Sequence, residues 1–365
     1  MNILFLTTHA DTGGITSYIL TLGEALVKSG HKVLVASSGG DCVARMEAAG
    51  IKHIKVNIRT KSEVHPKLWL SFPTLKQLIK EEEINIIHAH TRVTQVLGFF
   101  LSRSNGVPMI TTCHGFFRPR WFRKAFPCWG TAVIAISKPV ARHLSEDFGI
   151  PQSQIHLVAN GINLERFVMT NDFMRRQARQ RLNMADEPLI GIIARLSDVK
   201  GIDVLIKAMP DILKAIPAAK LLIAGQGPEE AVLKQLTQDM SLTAHVQFKS
   251  TVNQTELILP AIDVFVMPSL MEGLGLSVME AQACGIPVVA SNVGGLVDLI
   301  EDGKTGFLVA VNNPQALAGR IIEMLRNFPK ANSMAGLARS SIEKNFSIEG
   351  MLKQILQIYE QYPGR

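Results

Sequence analysis

No stretch of this 365-residue chain approaches the ~18 consecutive apolar residues that a membrane-spanning helix needs. Cysteine is scarce, and Cys42, Cys113, Cys128 and Cys284 form no Cys-x-x-Cys pair. The opening MNILFLTTHADTGG has no basic n-region and an apolar core of only four residues. It reads as a first strand rather than a signal peptide, and the cysteines read as free cytosolic thiols. The dinucleotide fingerprint Gly-x-Gly-x-x-Gly is missing: Gly13-Gly14 stands alone, and Gly225-Gln226-Gly227 has Glu230 where a third glycine would be wanted. An NAD-dependent enzyme is therefore disfavoured. Zinc-finger spacing and an aromatic RNA-binding strand are absent too, so nucleic acid is not an expected partner.

The length suits two domains of about 150–200 residues. Apolar residues make up 47% and charged residues 19%, enough to bury sizeable cores. The net charge of +7 is unevenly placed. Residues 1–170 carry 19 Lys and Arg against 11 Asp and Glu, whereas residues 171–365 carry 19 against 20. A basic first half with no nucleic-acid motif points to an anionic membrane surface or an anionic acceptor.

Apolar runs alternate with amphipathic stretches along the whole chain. Residues 2–8, 32–37, 84–90, 108–115, 132–137 and 155–162 read as strands of a first doubly wound α/β domain. The charged stretch 165–186 reads as an interdomain connection ending in a short helix. The pattern then restarts at 188–196, 220–227, 246–250, 264–269, 287–291 and 306–310.

The segment PSLMEGLGLSVMEAQACGIPVVAS, 268–291, reads as loop, helix and strand behind the strand DVFVM. It places Glu272 on a loop above a strand end and Glu280 in the helix after a Gly-x-Gly turn. Ligands of open α/β sheets bind outside the carboxyl ends of the strands. Two acceptor-only carboxylates there suit a polyhydroxylated ligand. Neither Glu has a Cys or His at metal-ligand spacing, so no metal is expected. In ARLSDVKGIDVLIKA, 194–208, Arg195 ends a strand and Lys200 precedes Gly201 and a helix. A cationic pair beside a helix N-terminus can neutralise a diphosphate leaving group.

These motifs resemble the retaining nucleotide-sugar glycosyltransferases of family 4, and the resemblance covers nearly the whole chain. It implies a GT-B fold: α/β, with two Rossmann-like doubly wound domains facing a central cleft. The N-terminal, acceptor-binding domain would be 1–167 and the C-terminal, donor-binding domain 168–347. The helix at about 348–362 would cross back to the first domain. By resemblance Arg195 and Lys200 hold the donor diphosphate, Glu280 accepts from the ribose hydroxyls, and Glu272 contacts the transferred sugar. Gly273, Leu274, Gly275 and Leu276 complete that cradle, with backbone N–H groups of Leu274 and Gly275. Gly13-Gly14 lies over the donor phosphates, Gly225 adds to the nucleotide site, and His114 of CHGFFRP contacts the donor sugar near its reacting carbon. Ser137 and Asn160-Gly161 match family positions as well, with cap and turn roles equally open.

The expected activity is transfer of a sugar, with retention and without a metal, from a nucleoside-diphosphate sugar to a glycan or lipid-linked acceptor. Cell-envelope polysaccharide or glycolipid synthesis is the expected setting. The donor is a substrate, so no cofactor is expected. Double displacement and same-face transfer both stay open. Two other readings are a GT-B relative such as a nucleotide-sugar epimerase, and a non-catalytic sugar-nucleotide-binding scaffold. The segment 114–130 interleaves Arg118, Arg120, Arg123 and Lys124 with six aromatic residues, which suits docking to an anionic membrane. The expected location is the cytoplasm, peripheral to the inner face of the membrane.

Overall fold

The computed structural model describes residues 1–119, 121, 123, 126–250 and 254–362. The chain divides into two compact units: Met1–Gly161 with the C-terminal segment from Ile348, and Ile162–Ser347.

In the first unit, strands β1 (Asn2–Leu6), β2 (Lys32–Ser37), β3 (Lys52–Lys55), β4 (Ile86–Ala89), β5 (Met109–Cys113), β6 (Ala132–Ala135) and β7 (Ile155–Leu157) form one sheet among the described residues. Their spatial order is β3-β2-β1-β4-β5-β6-β7, and neighbours pair in parallel. Side chains alternate across a strand, and β1 shows the consequence. Ile3 and Phe5 enter a core with the helix Gly14–Lys28, while Leu4 and Leu6 enter a second core with Leu97, Leu101 and Ile79. Both faces are covered, which is why β1 reads as an unbroken apolar run. The β3 segment, KHIK, was not anticipated. It is an edge strand with exposed lysines at both ends, so it lacks the apolar signature.

The helix Ile348–Gln361 packs on this first unit. Met351, Ile355, Ile358 and Tyr359 recur at helical spacing and join the core of Ile19, Leu22 and Leu26. Tyr359 Oη lies 2.6 Å from Nδ1 of the buried His88, whose Nε2 is 2.7 Å from Thr112 Oγ1.

In the second unit, β8 (Leu189–Ile193), β9 (Lys220–Ala224), β10 (Val246–Lys249), β11 (Val264–Met267), β12 (Val288–Ser291) and β13 (Phe307–Val309) make a parallel sheet in the order β10-β9-β8-β11-β12-β13. The strand order reverses between β8 and β11, the kind of switch point that places ligands at carboxyl ends.

Two sequence expectations need correction. The boundary falls at Gly161/Ile162 rather than at 167/168. Ile162 N donates to Phe346 O at 2.9 Å, Arg166 pairs with Glu256, and Phe167 O accepts from Arg339, so these residues are tied into the second unit. The stretch 165–186 is also not a mere connection. Its helix, Asp172–Leu182, presents Arg175 and Arg179 to Asp263, which is 2% exposed at its side chain. Asp263 additionally accepts from Leu189 N at 2.7 Å, anchoring the start of β8. Two of the charges in the stretch, Arg175 and Arg179, thus fasten its helix to a buried carboxylate.

Candidate active site

In the second unit, the loops that follow β8, β9, β11 and β12 are tied together by their backbones. Leu270 N donates to Val199 O at 2.8 Å, Leu196 N to Gln226 O at 2.9 Å, and Gly295 N to Glu272 O at 3.0 Å. Gly294 has φ +53°, and a Cβ there would come within 1.9 Å of Glu272 O. Only glycine fits that approach, so the Asn292–Gly295 turn holds the Glu272 loop from behind.

Within this frame Lys200 and Glu272 meet. Lys200 Nζ is 2.6 Å from Glu272 Oε2, and Ser269 Oγ donates to the same oxygen at 3.2 Å. The chain then passes Gly275, with φ +106°, into the helix Leu276–Ala283. The N–H groups of Leu274 and Gly275 make no backbone hydrogen bond among the described residues. Free donors at a helix N-terminus favour an anion or a sugar oxygen. Arg195 is exposed at the end of β8 and has no side-chain partner among the described residues; it is not part of the Lys200–Glu272 pair.

Glu280 lies one helical turn further on, in different surroundings. Part of its side chain remains accessible, yet its carboxyl group is closely enclosed. Desolvation pushes it up to about 7, against the pull of the Thr255 hydroxyl and the Arg166 guanidinium, while the neighbouring Glu256 adds to the rise. Arg166 and Glu256 are themselves paired at 2.7 Å. Two carboxylates from one motif thus differ: Glu272 is ion-paired, and Glu280 is poised near neutrality. Ser269, whose partner Glu272 lies three positions on in the same loop, had not been singled out in the sequence, and neither had Thr255, Glu256 and Arg166. Nothing in the spacing of the last three relates them to Glu280, and only the fold does.

Gly225 is explained by packing. A Cβ there would fall 1.9 Å from Ala194 O, and its N–H already donates to Lys249 O at 2.8 Å. That N–H is therefore not available to a ligand.

In the first unit, Gly13 precedes the helix that begins at Gly14. A Cβ on Gly13 would meet nothing within 4 Å. The preceding loop is pinned by Asp41, which accepts from Thr12 N and from its hydroxyl, both at 2.7 Å. His114 follows β5 and stands beside His90, which follows β4. Nε2 of His114 is 3.2 Å from Nδ1 of His90, and Tyr18 packs edge-on to His114 at 4.9 Å. Burial pushes the His114 imidazole down to about 3. His88 and His90 were missed, although two histidines two positions apart at a strand's carboxyl end share one face of the sheet. Ser137 caps the helix Lys138–Phe148 by accepting from Val140 N, and Asn160 is buried with Oδ1 unpartnered among the described residues.

In the segment 114–130, Trp121 and Phe126 are 78% and 57% exposed, whereas Phe117 packs on Trp129 and lies under Arg123. Arg120, Phe122 and Lys124 lie outside the described residues. Among the described residues no helix is long and apolar enough to cross a membrane, and no group of three His, Cys, Asp or Glu side chains is placed to hold a metal ion.

Two parallel Rossmann-like units, with a cation, two carboxylates and free N–H groups at the carboxyl edge of the second sheet, define a glycosyltransferase of the GT-B fold. The chain belongs to the group 1 glycosyltransferases of family 4. The model of "Glycosyl transferases group 1" matches residues 174–341, and that of "Glycosyltransferase Family 4" matches residues 12–166. It is 27% identical to an uncharacterised glycosyltransferase of Methanocaldococcus jannaschii, over 95% of this chain and 94% of that one. It is 28% identical to a GDP-mannose-dependent alpha-(1-6)-phosphatidylinositol monomannoside mannosyltransferase of Mycolicibacterium smegmatis, over 90% and 89%. The crystal structure of Anabaena HepE in complex with UDP and glucose superposes with a TM-score of 0.88 at 22% identity, covering 99% and 100% of the two chains. At that identity the likeness establishes the fold.

Proposed function

We propose that this glycosyltransferase is retaining and metal-independent, and moves a sugar from a nucleoside-diphosphate sugar to a glycan or lipid-linked acceptor. The carrying observation is the Lys200–Glu272 pair beside the unpartnered N–H groups of Leu274 and Gly275. A point cation there supports a diphosphate leaving group, with the exposed Arg195 as a second cation. Glu272 and the two N–H groups serve the hydroxyls of the transferred sugar, and Glu280 serves those of the nucleotide's ribose. The Lys200–Glu272 contact is then broken or shared when the donor binds, since both groups acquire partners of their own.

With both carboxylates committed to hydroxyls, no side-chain nucleophile is left over in this motif. That favours same-face transfer, in which the departing phosphate takes the acceptor proton, over double displacement. The positive charge of the first half, and Trp121, Phe126, Arg118 and Arg123 in 114–130, support a lipid-linked acceptor and peripheral attachment to an anionic membrane at its inner, cytoplasmic face. The phosphatidylinositol-mannoside acceptor in the name of the mycobacterial relative supports an envelope glycolipid role.

The test is thermal shift against UDP, GDP, ADP, CMP and their sugar conjugates, with Glu280→Ala alongside. One nucleoside diphosphate raising the midpoint in the wild type, and less in the variant, supports the reading and names the base. No shift at millimolar concentration overturns it.

A further inference from the structure

His90 is 2% exposed. Its ring meets Phe5 edge-on at 5.0 Å and lies over His88 at 4.3 Å. One nitrogen, Nδ1, faces Nε2 of His114 at 3.2 Å. The other, Nε2, is buried with no hydrogen-bond partner among the described residues. Burial lowers His90 well below the ordinary imidazole value, and His114 falls to about 3 for the same reason. Both rings are therefore neutral near pH 7, and one proton lies between the two facing nitrogens.

Two arrangements of that proton can be compared. If His114 donates from Nε2, His90 must carry its own proton on Nε2, leaving a buried N–H donor without an acceptor. If His90 donates from Nδ1, its Nε2 is only an unused lone pair. Orphaned buried N–H groups are the rarer case, and an unmade bond costs the desolvation of the donor. The second arrangement is the lower in free energy.

We infer that His90 is a positioning residue: it donates Nδ1–H to His114 Nε2 and so holds His114 as the Nδ1–H tautomer, a neutral donor to an uncharged substrate oxygen such as a sugar hydroxyl. The substrate role of His114 rests on the transferase reading above; the proton assignment does not. His114 makes no hydrogen bond through Nδ1 among the described residues, so that donor is uncommitted. A neutral donor also fits a hydroxyl better than a diphosphate.

The experiment is long-range 1H–15N NMR of the full chain labelled with 15N-histidine, at neutral pH, together with steady-state kinetics on the identified donor. In the wild type, His114 is expected to show a protonated Nδ1 and a lone-pair Nε2. His90→Phe keeps a ring in the stack but removes the donor; the His114 Nε2 resonance should then move toward that of a lone pair with no hydrogen bond, with kcat falling about tenfold and KM little changed. His90→Asn places an amide nitrogen near the former Nδ1 and should restore both that resonance and most of kcat. An Nε2–H pattern in the wild type overturns the inference, as does a His114 Nε2 resonance that His90→Phe leaves unaltered. If His90→Phe does not fold, the wild-type and His90→Asn spectra decide. The spectra need no substrate, so a chain that folds and transfers no sugar counts against the transferase reading alone.

Discussion

Lys200 Nζ lies 2.6 Å from Glu272 Oε2, although 72 positions separate the residues. The contact joins the loop after β8 to the loop after β11, on the two sides of the point where the strand order reverses. Lys200→Ala should lower turnover by about 10²–10³-fold, the usual cost of removing one well-placed donor to a developing negative charge. The pair is largely withdrawn from solvent, its side chains 20% and 12% exposed, so removing the cation also leaves Glu272 uncompensated and should lower the melting temperature, while the fall in turnover persists at temperatures where the variant is fully folded. Steady-state kinetics beside differential scanning calorimetry checks this.

Glu280 should make the protein less stable as pH rises. Its carboxyl is held near 7 in the folded chain against an ordinary value of 4.5. The folded state therefore binds more protons than the unfolded state between those values, and the stability present below about pH 4.5 is lost toward pH 7. Allowing for its partial exposure, the change is on the order of 1–2 kcal/mol. Urea titrations across this window should show the slope in the wild type and its removal in Glu280→Gln. Nucleoside diphosphate binding should move the opposite way and tighten with pH, because ribose hydroxyls need the ionised acceptor.

Asp263 is the most sensitive position expected in the second unit. Asp263→Ala strands the buried Arg179 and leaves Leu189 N without its acceptor. Removing one partner of a buried pair costs about 3–5 kcal/mol. Chemical denaturation should show that loss, and hydrogen exchange should rise first at the start of β8 and in the helix Asp172–Leu182.

Tyr359→Phe tests the attachment of the C-terminal helix. Tyr359 is fully buried, and its hydroxyl meets His88 Nδ1 at 2.6 Å. The variant keeps the apolar contacts but leaves a buried ring nitrogen unpaired, at a cost of about 1–3 kcal/mol. Faster amide exchange in the helix Ile348–Gln361, with the second unit unchanged, is the expected signature.

The apolar runs made most of the strands legible, because a parallel sheet covered on both faces demands them. β3 escaped because an edge strand with Lys52 and Lys55 at its ends carries no such run. Glu272, Glu280, Lys200 and His114 were readable because each follows a strand or opens a helix, where local punctuation marks the position. Thr255, Arg166 and His90 were not, since each gains its meaning from a partner on another element. The stretch 165–186 read as a connection ending in a short helix because it is charged and poor in apolar residues; the helix is there, and the sequence did not show that Arg175 and Arg179 tie it to the buried Asp263.

The amino-acid sequence by itself determined the alternation of strand and helix, the two-domain plan and the placing of the carboxylates and cations at element ends. These follow from periodicity and turn chemistry, which act over a few residues. The tertiary structure alone decided that Lys200 pairs with Glu272, that Glu280 is desolvated to near neutrality, and that one imidazole stands behind another at His90 and His114. Those properties depend on distance and dielectric surroundings, which exist only once distant segments have packed.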